Sequence, residues 1–263
     1  MKKILVVLLL FVASLQAEIH EIKNMDELHS YLKPDMLIVF DIDNTLMEPV
    51  QELGSDQWFY HRIKEYEAWG KSKQEALEKA LKQWTSIQNV TKVRLCEAGT
   101  DEIVQNLQRQ GFTIMGLTTR GLGMSELTIQ QLGLIHVNLS PTAPTQEEIH
   151  FMNERGCLFR TGILFTAATH KGEAMRKLFD KIDWWPKSIL FINDKQTHIA
   201  EFEETMIQHG VPFIGLRYGA TDERVLNFRN HLAEVQYSFF GHILTDEQAE
   251  RILHETNDLP SVQ

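Results

Sequence analysis

Two carboxylates, Asp41 and Asp43, stand two residues apart directly after the apolar run Leu37-Ile38-Val39-Phe40, and a hydroxyl, Thr45, follows them. Four consecutive apolar residues predict a strand buried on both faces. Acids placed next stand at that strand's C-terminal end, the edge where open α/β sheets bind their ligands. Two carboxylates so close repel each other unless a cation or a shared proton lies between them. A second apolar run, 112–117, ends in Thr118-Thr119-Arg120, and a third, 188–192, ends in Asn193-Asp194. Lys171 opens a helical stretch between them. Carboxylates, a hydroxyl and an ammonium gathered on one sheet edge suit a phosphate, with an oxygen-liganded cation such as Mg²⁺ beside it.

The elements that must position these groups alternate along the chain. Residues 24–32 predict a short capped helix that leads into the first strand. Residues 47–97 hold no convincing strand. Within them, 57–84 carries Trp58, Ile63, Tyr66, Trp69, Leu77, Leu81 and Trp84 at helical spacing among many charges, which predicts two or three amphipathic helices that pack as a cap. A helix is expected over 100–110 with Gly111 as its stop, then the strand at 112–117 and a helix over 125–132. Residues 137–139 suggest a strand, 157–165 a hairpin, and 169–179 a helix. The strand at 188–192, a helix over 196–208, a strand over 213–216 and two closing helices complete the series. Strands alternating with helices imply a parallel sheet with right-handed crossovers.

The chain of 263 residues suffices for one substantial core and a small accessory unit. Lys2 and Lys3 precede an apolar run over 4–13, and Ala17 offers a small residue for cleavage, although Leu15 is bulky for its place. That pattern reads as a secretory leader over residues 1–17, too short to span a bilayer; the alternative is an uncleaved anchor. The formal charge is −10, with 26 basic against 36 acidic residues, and the leader removes only basic ones. A surface this acidic argues against sequence-independent nucleic-acid binding. Cys96 and Cys157 are the only cysteines. Outside the cytoplasm they could form a bridge; two separately buried thiols are the other reading.

The motifs together resemble the haloacid dehalogenase (HAD) superfamily over residues 36 to about 217. Asp41-Ile42-Asp43-Asn44-Thr45 is similar to its first motif, Thr118 to the second, Lys171 in His170-Lys171-Gly172 to the third, and Asp194 in Phe191-Ile192-Asn193-Asp194 to the fourth. The resemblance implies an α/β fold: a Rossmann-like, three-layer α/β/α core with a parallel sheet and a small helical cap inserted after the first strand. The core would comprise 18–46 and 98–263, the cap 47–97, with a second small insertion carrying the hairpin over 136–169. It further implies that Asp41 is a nucleophile forming an aspartyl-phosphate and that Asp43 is the acid, then the base, of the two displacements. Thr118, Lys171 and Asn44 would hold the phosphoryl group. Asp41, Asp194 and the backbone carbonyl of Asp43 would bind Mg²⁺. Thr119 and Arg120 are candidate substrate contacts; for Arg120 the alternative is an ion pair with a cap acid.

An acid at Asp43 fits phosphate-ester cleavage rather than dehalogenation, and Thr118-Thr119-Arg120 resembles the secreted acid phosphatases of the superfamily. The fourth motif departs from the pattern: Asn193 stands beside Asp194, and His198 four residues on, where a second acid is usual. The expectation is therefore a periplasmic or secreted Mg²⁺-dependent phosphomonoester hydrolase acting on a small phosphorylated substrate, with no membrane span once the leader is cleaved. The alternatives are a catalytically degenerate binding protein on the same scaffold, or a phosphoryl transferase or mutase.

Overall fold

A computed structural model describes residues 17–239 and 243–256, so the leader expected over residues 1–17 falls outside it but for Ala17. Ten strands, β1 (Ala17–Ile22), β2 (Leu37–Phe40), β3 (Met47–Pro49), β4 (Val93–Leu95), β5 (Thr113–Thr118), β6 (Ile149–Met152), β7 (Gly156–Arg160), β8 (Ile163–Phe165), β9 (Ile189–Asn193) and β10 (Phe213–Tyr218), are joined by nine α-helices. These are α1 (Asp56–Ala68), α2 (Lys73–Gln88), α3 (Thr100–Arg109), α4 (Ser125–Leu134), α5 (Lys171–Lys181), α6 (Gln196–Gln208), α7 (Asp222–Leu226), α8 (Asn230–Ser238) and α9 (Asp246–Thr256).

Eight strands form one sheet in the order β1-β10-β9-β2-β5-β8-β7-β6. The six from β1 to β8 run parallel, and at one edge β7 runs antiparallel to β8 and β6 antiparallel to β7. This is a mostly parallel α/β fold of the Rossmann-like kind. Every residue of β2 is fully buried, and the alternation of side chains splits the core into two layers. Ile38, Phe40, Ile114, Leu190 and Ile192 pack with Val104 and Leu107 of α3 and Leu132 of α4. Leu37, Val39, Met115, Ile189 and Phe191 face Met175, Leu178 and Phe179 of α5 and Phe202 and Met206 of α6. β2 lies between β9 and β5, and the chain leaves it first toward β5 and β8 and later toward β9 and β10. The crevice at the C-terminal ends of β2 and β9 is therefore the topological switch point of the sheet.

Two short strands within 47–97 correct the strand-free reading of that stretch. β3 and β4 form an antiparallel pair at its two ends, and at three residues each they carry too little pattern to be seen in sequence. Between them α1 and α2 form a helical hairpin. Ser55 caps α1 by accepting from the Trp58 N–H, and Ser72 and Glu75 form a capping box on α2. Trp58, Trp84 and Ile87 of the hairpin pack with Ala233 of α8. A second correction concerns 137–139, which is no strand: Val137 and Leu139 are apolar because they plug the layer beneath α4, at 3% and 2% exposure, from an irregular segment. Cys96 and Cys157 are both free thiols. Cys96 packs against one layer and Cys157 lies within the other, so the sheet separates them. Three helices, not two, close the described chain. Among the described residues no helix is long and apolar enough to cross a membrane.

Candidate functional site

Three strand ends, those of β2, β5 and β9, and the start of α5 converge at the switch point. The Asp41 N–H donates to the Ile192 carbonyl at 2.9 Å, which continues the β2–β9 ladder and aims the carboxylate off the sheet edge. Lys171, at the start of α5, donates from Nζ to Asp41 Oδ1 at 2.6 Å. The lysine is 2% exposed, and its ammonium lies 5.7 Å from the centre of the Phe191 ring. His170 caps α5, its Nδ1 accepting from the Glu173 N–H at 3.2 Å. The role of that histidine is therefore a local one.

The turn after β2 is tight. The N–H groups of Leu46 and Met47 both reach the Ile42 carbonyl, and Asn44 adopts a left-handed backbone at φ 57°, which asparagine tolerates better than most residues. The Asn44 Nδ2 donates to Asp194 Oδ2 at 3.4 Å. Thr45, unassigned by the motif reading, accepts from the Asp194 N–H at 3.2 Å and ties the first loop to the fourth. The Thr118 hydroxyl oxygen accepts from the Arg120 N–H at 3.1 Å, which leaves its own hydrogen directed elsewhere. Thr119 offers its carbonyl to the Ala168 N–H.

Arg120 differs most from expectation. Neither a cap acid nor open cleft is its partner. Its Nε and Nη2 donate to Asp43 Oδ2 and Oδ1 at 2.9 and 2.7 Å, a bidentate pair. The guanidinium is buried among protein acceptors, which withdraws it from direct substrate contact. Burial raises the Asp43 carboxyl above its usual range, and the Arg120 charge offsets only part of that rise.

The fourth motif carries three buried polar atoms without partners among the described residues: Asp194 Oδ1, Asn193 Nδ2 and His198 Nδ1. Burial, followed by the negative charge of Asp41, pushes the Asp194 carboxyl up to about 7. Burial with the nearby charges of Lys171 and Lys195 pushes the His198 imidazole down to about 3, so it stands neutral. An unpartnered carboxylate oxygen with a second carboxylate beside it is a position whose charge a cation would stabilise. The donors there are all hard oxygens, and they fit Mg²⁺. A different trio, His61, Glu65 and Glu234, brings its ligand atoms within 4.8 Å of one another. Arg62, however, lies 2.6 Å from Glu65 and 3.2 Å from Glu234, so positive charge is already supplied there.

A cavity of about 510 Å³ opens beside Asn44 and Asp194 and runs between α1 and the C-terminal segment. Lys195, Asp56 and Tyr60 line it and are not marked by any sequence motif. Lys195 donates from Nζ to Asp56 Oδ2 at 2.8 Å and lies 5.4 Å from the Tyr60 ring centre. Burial opposes the lysine's charge, but Asp56 and Asp194 more than offset it and hold it protonated. Burial likewise opposes ionisation of Asp56, and Lys195 more than offsets that. Adjacency to Asp194 was the one available hint for Lys195. Asp56 and Tyr60 lie in the inserted helix, where spacing says nothing about the core.

The match to known sequences covers most of the chain. The protein belongs to the family described as "Protein of unknown function (DUF2608)", matched over residues 21–250. It is 25% identical over 223 residues to a "Putative outer membrane protein" of Chlamydia pneumoniae, covering 85% of this chain and 84% of the relative. A protein of the same description from Chlamydia muridarum is 25% identical over 255 residues, covering 94% and 95%. Among solved structures, a HAD-superfamily hydrolase of subfamily IA from Geobacter sulfurreducens aligns with 12% identity and a TM-score of 0.39, over 73% of this chain and 96% of that one. The class C acid phosphatase from Bacillus anthracis aligns with 15% identity and a TM-score of 0.36, over 90% and 85%.

Proposed function

We propose that the protein is a HAD-type phosphomonoester hydrolase that works outside the cytoplasm, uses Mg²⁺, and passes through an aspartyl-phosphate on Asp41. The observation that carries this reading is the convergence of Asp41, Asp43, Thr118, Lys171 and Asp194 on one sheet edge, with Lys171 directly on Asp41. In the first displacement an Asp41 carboxylate oxygen bonds to phosphorus as the ester P–O bond breaks, and Asp43 gives the leaving oxygen its proton. In the second, Asp43 takes a proton from water, the water oxygen bonds to phosphorus, and the P–O bond to Asp41 breaks to release phosphate. The Lys171 ammonium neutralises charge on the phosphoryl oxygens, and the Thr118 hydroxyl donates to one of them. Mg²⁺, held by Asp41, Asp194 and the Asp43 carbonyl, supplies further charge neutralisation when bound. The cavity beside Asp194 and Tyr60 would receive the organic part of a small substrate.

The leader-like pattern over residues 1–17 and the naming of the chlamydial relatives as "Putative outer membrane protein" support a location beyond the cytoplasm. In this reading the core comprises 18–46 and 98–263 and the cap 47–97, a division supported by the helical hairpin that α1 and α2 form between β3 and β4. Binding without turnover is the second reading, favoured by Asn193 and the neutral His198 where a second acid would order the metal's waters. Hydrolysis of 4-nitrophenyl phosphate with and without Mg²⁺, by wild type and Asp41→Asn, tests the proposal. Turnover that requires Mg²⁺ and vanishes in the variant is expected. Activity that survives the substitution overturns the nucleophile assignment. A protein that shows neither turnover nor a beryllofluoride adduct selects the second reading, and a clear adduct at Asp41 counts against it.

A further inference from the structure

Arg120 has five N–H donors, and each has a protein acceptor. Nε and one Nη2 hydrogen hold the two oxygens of Asp43. Nη1 donates to Thr128 Oγ1 at 3.0 Å and to Gln131 Oε1 at 2.8 Å, and Nη2 also reaches Gln88 Oε1 at 3.5 Å. These acceptors are themselves fixed. The Thr128 hydroxyl donates to the Met124 carbonyl at 2.7 Å. The Gln131 amide donates to the Gln88 and Thr91 carbonyls, both at 3.4 Å, and the Gln88 amide donates to the Gly54 carbonyl at 2.6 Å. The guanidinium carbon lies 5.2 Å from the centre of the Trp84 ring. Arg120, Thr128, Gln131 and Gln88 are all at least 95% buried.

A fork held on every side cannot turn toward an incoming ligand. It can fix the plane and rotamer of the one carboxylate it grips, and the lone pairs not used by Arg120 then face the cleft. The Asp43 side chain is 20% exposed, which is the side from which a leaving group or a water would approach. We infer that Arg120 is a positioning residue: it aims the Asp43 carboxylate at the reacting oxygen, and through Gln88 and Trp84 of α2 it makes the seating of the helical hairpin part of that aim. This inference rests on the phosphatase reading above and adds to it a support for Asp43 that spans α2, α4 and the loop after β5.

Positioning carries a signature that mere structural support does not. A leaving alkoxide needs the proton from Asp43, whereas 4-nitrophenolate is stable without it. The experiment compares kcat and KM for glycerol 2-phosphate and 4-nitrophenyl phosphate, together with beryllofluoride adduct formation, in wild type, Arg120→Met, Arg120→Lys and Gln131→Met. In Arg120→Met, kcat for glycerol 2-phosphate is expected to fall by about 10–100-fold, the usual cost of losing an outer partner that orients a reacting group. The fall for 4-nitrophenyl phosphate should be smaller, with KM and the adduct retained. Lysine, lacking the planar fork, recovers part of the loss. Gln131→Met leaves the Arg120–Asp43 pair intact but frees one of the two Nη1 hydrogens, the other staying on Thr128; it should show the same bias on a smaller scale, and it carries the test if Arg120→Met does not fold. Equal losses on both substrates, or unchanged kcat in these variants, overturn the positioning role and leave the phosphatase reading standing. A wild type with neither turnover nor adduct overturns both.

Discussion

At the scale of single residues, the two cationic partners of the motif acids do different work. Lys171 is the charge partner of a carboxylate that is itself 9% exposed. Removing one member of a buried pair leaves the other uncompensated, at a cost of about 3–5 kcal/mol. Lys171→Met should therefore lower the denaturant midpoint as well as abolish turnover. The double variant Asp41→Asn with Lys171→Met should recover part of the stability and none of the activity; chemical unfolding and the phosphatase assay read the two effects separately. Asp194 gives a pH signature. Its carboxyl is raised from 3.8 to about 7 in the protein, so from the ordinary value up to about 7 the folded state binds more protons than the unfolded one. Stability must then fall as pH rises through that window. A cation that replaces the proton reverses this. The gain in melting temperature on adding Mg²⁺ is expected to be larger at pH 8 than at pH 5, and Asp194→Asn should remove that difference.

Among the elements, α5 and α6 matter because they carry Lys171 and follow Asp194. They approach closely at Gly172, where an added Cβ would lie 2.4 Å from Thr205 Oγ1 and 3.2 Å from the Glu201 carbonyl oxygen. A neighbouring side chain could shift, but the backbone carbonyl of α6 cannot move far without disturbing the helix that follows Asp194. Gly172→Ala is expected to cost about 1–3 kcal/mol, the range for overpacking, and to lower kcat by displacing the adjacent Lys171. A melting temperature equal to that of the wild type would show that α5 and α6 can separate freely. The hairpin α1–α2 touches the site twice, through Asp56 on Lys195 and through Trp84 and Gln88 on Arg120. It is therefore a wall of the site as well as a cover over it.

For the molecule as a whole, the sheet divides the interior into two layers that do not exchange side chains. Cys96 and Cys157 border opposite layers, and burial raises both thiols above their usual range. Slow labelling by a thiol reagent is expected in the native protein, with both sites reacting rapidly after unfolding. Electrophoretic mobility should be the same with and without reductant; a reductant-sensitive monomer band would contradict the separation of the layers. Of the two readings open for these cysteines in sequence, the fold realises separate thiols, with Cys157 buried and Cys96 half-buried on the other side of the sheet.

Much of this architecture was legible in the chain before folding. The four-residue run before Asp41 marks a central strand because only a strand buried on both faces tolerates unbroken apolarity. The alternation of such runs with helical periods makes the sheet parallel. The acids, hydroxyl and ammonium then share an edge as a consequence of strand direction alone. Short-range pattern could not supply the rest. β3 and β4 are too brief to show a period, and Val137 and Leu139 are apolar for a reason unrelated to any strand. The partner of Arg120 is 77 residues away in sequence, and that of Lys195 is 139. Which cation meets which acid depends on how the loops after β2, β5 and β9 and the start of α1 come together at the sheet edge. That arrangement is set by side-chain packing between elements and belongs to no single segment, so the residue types were determined by the sequence and their pairing only by the tertiary structure.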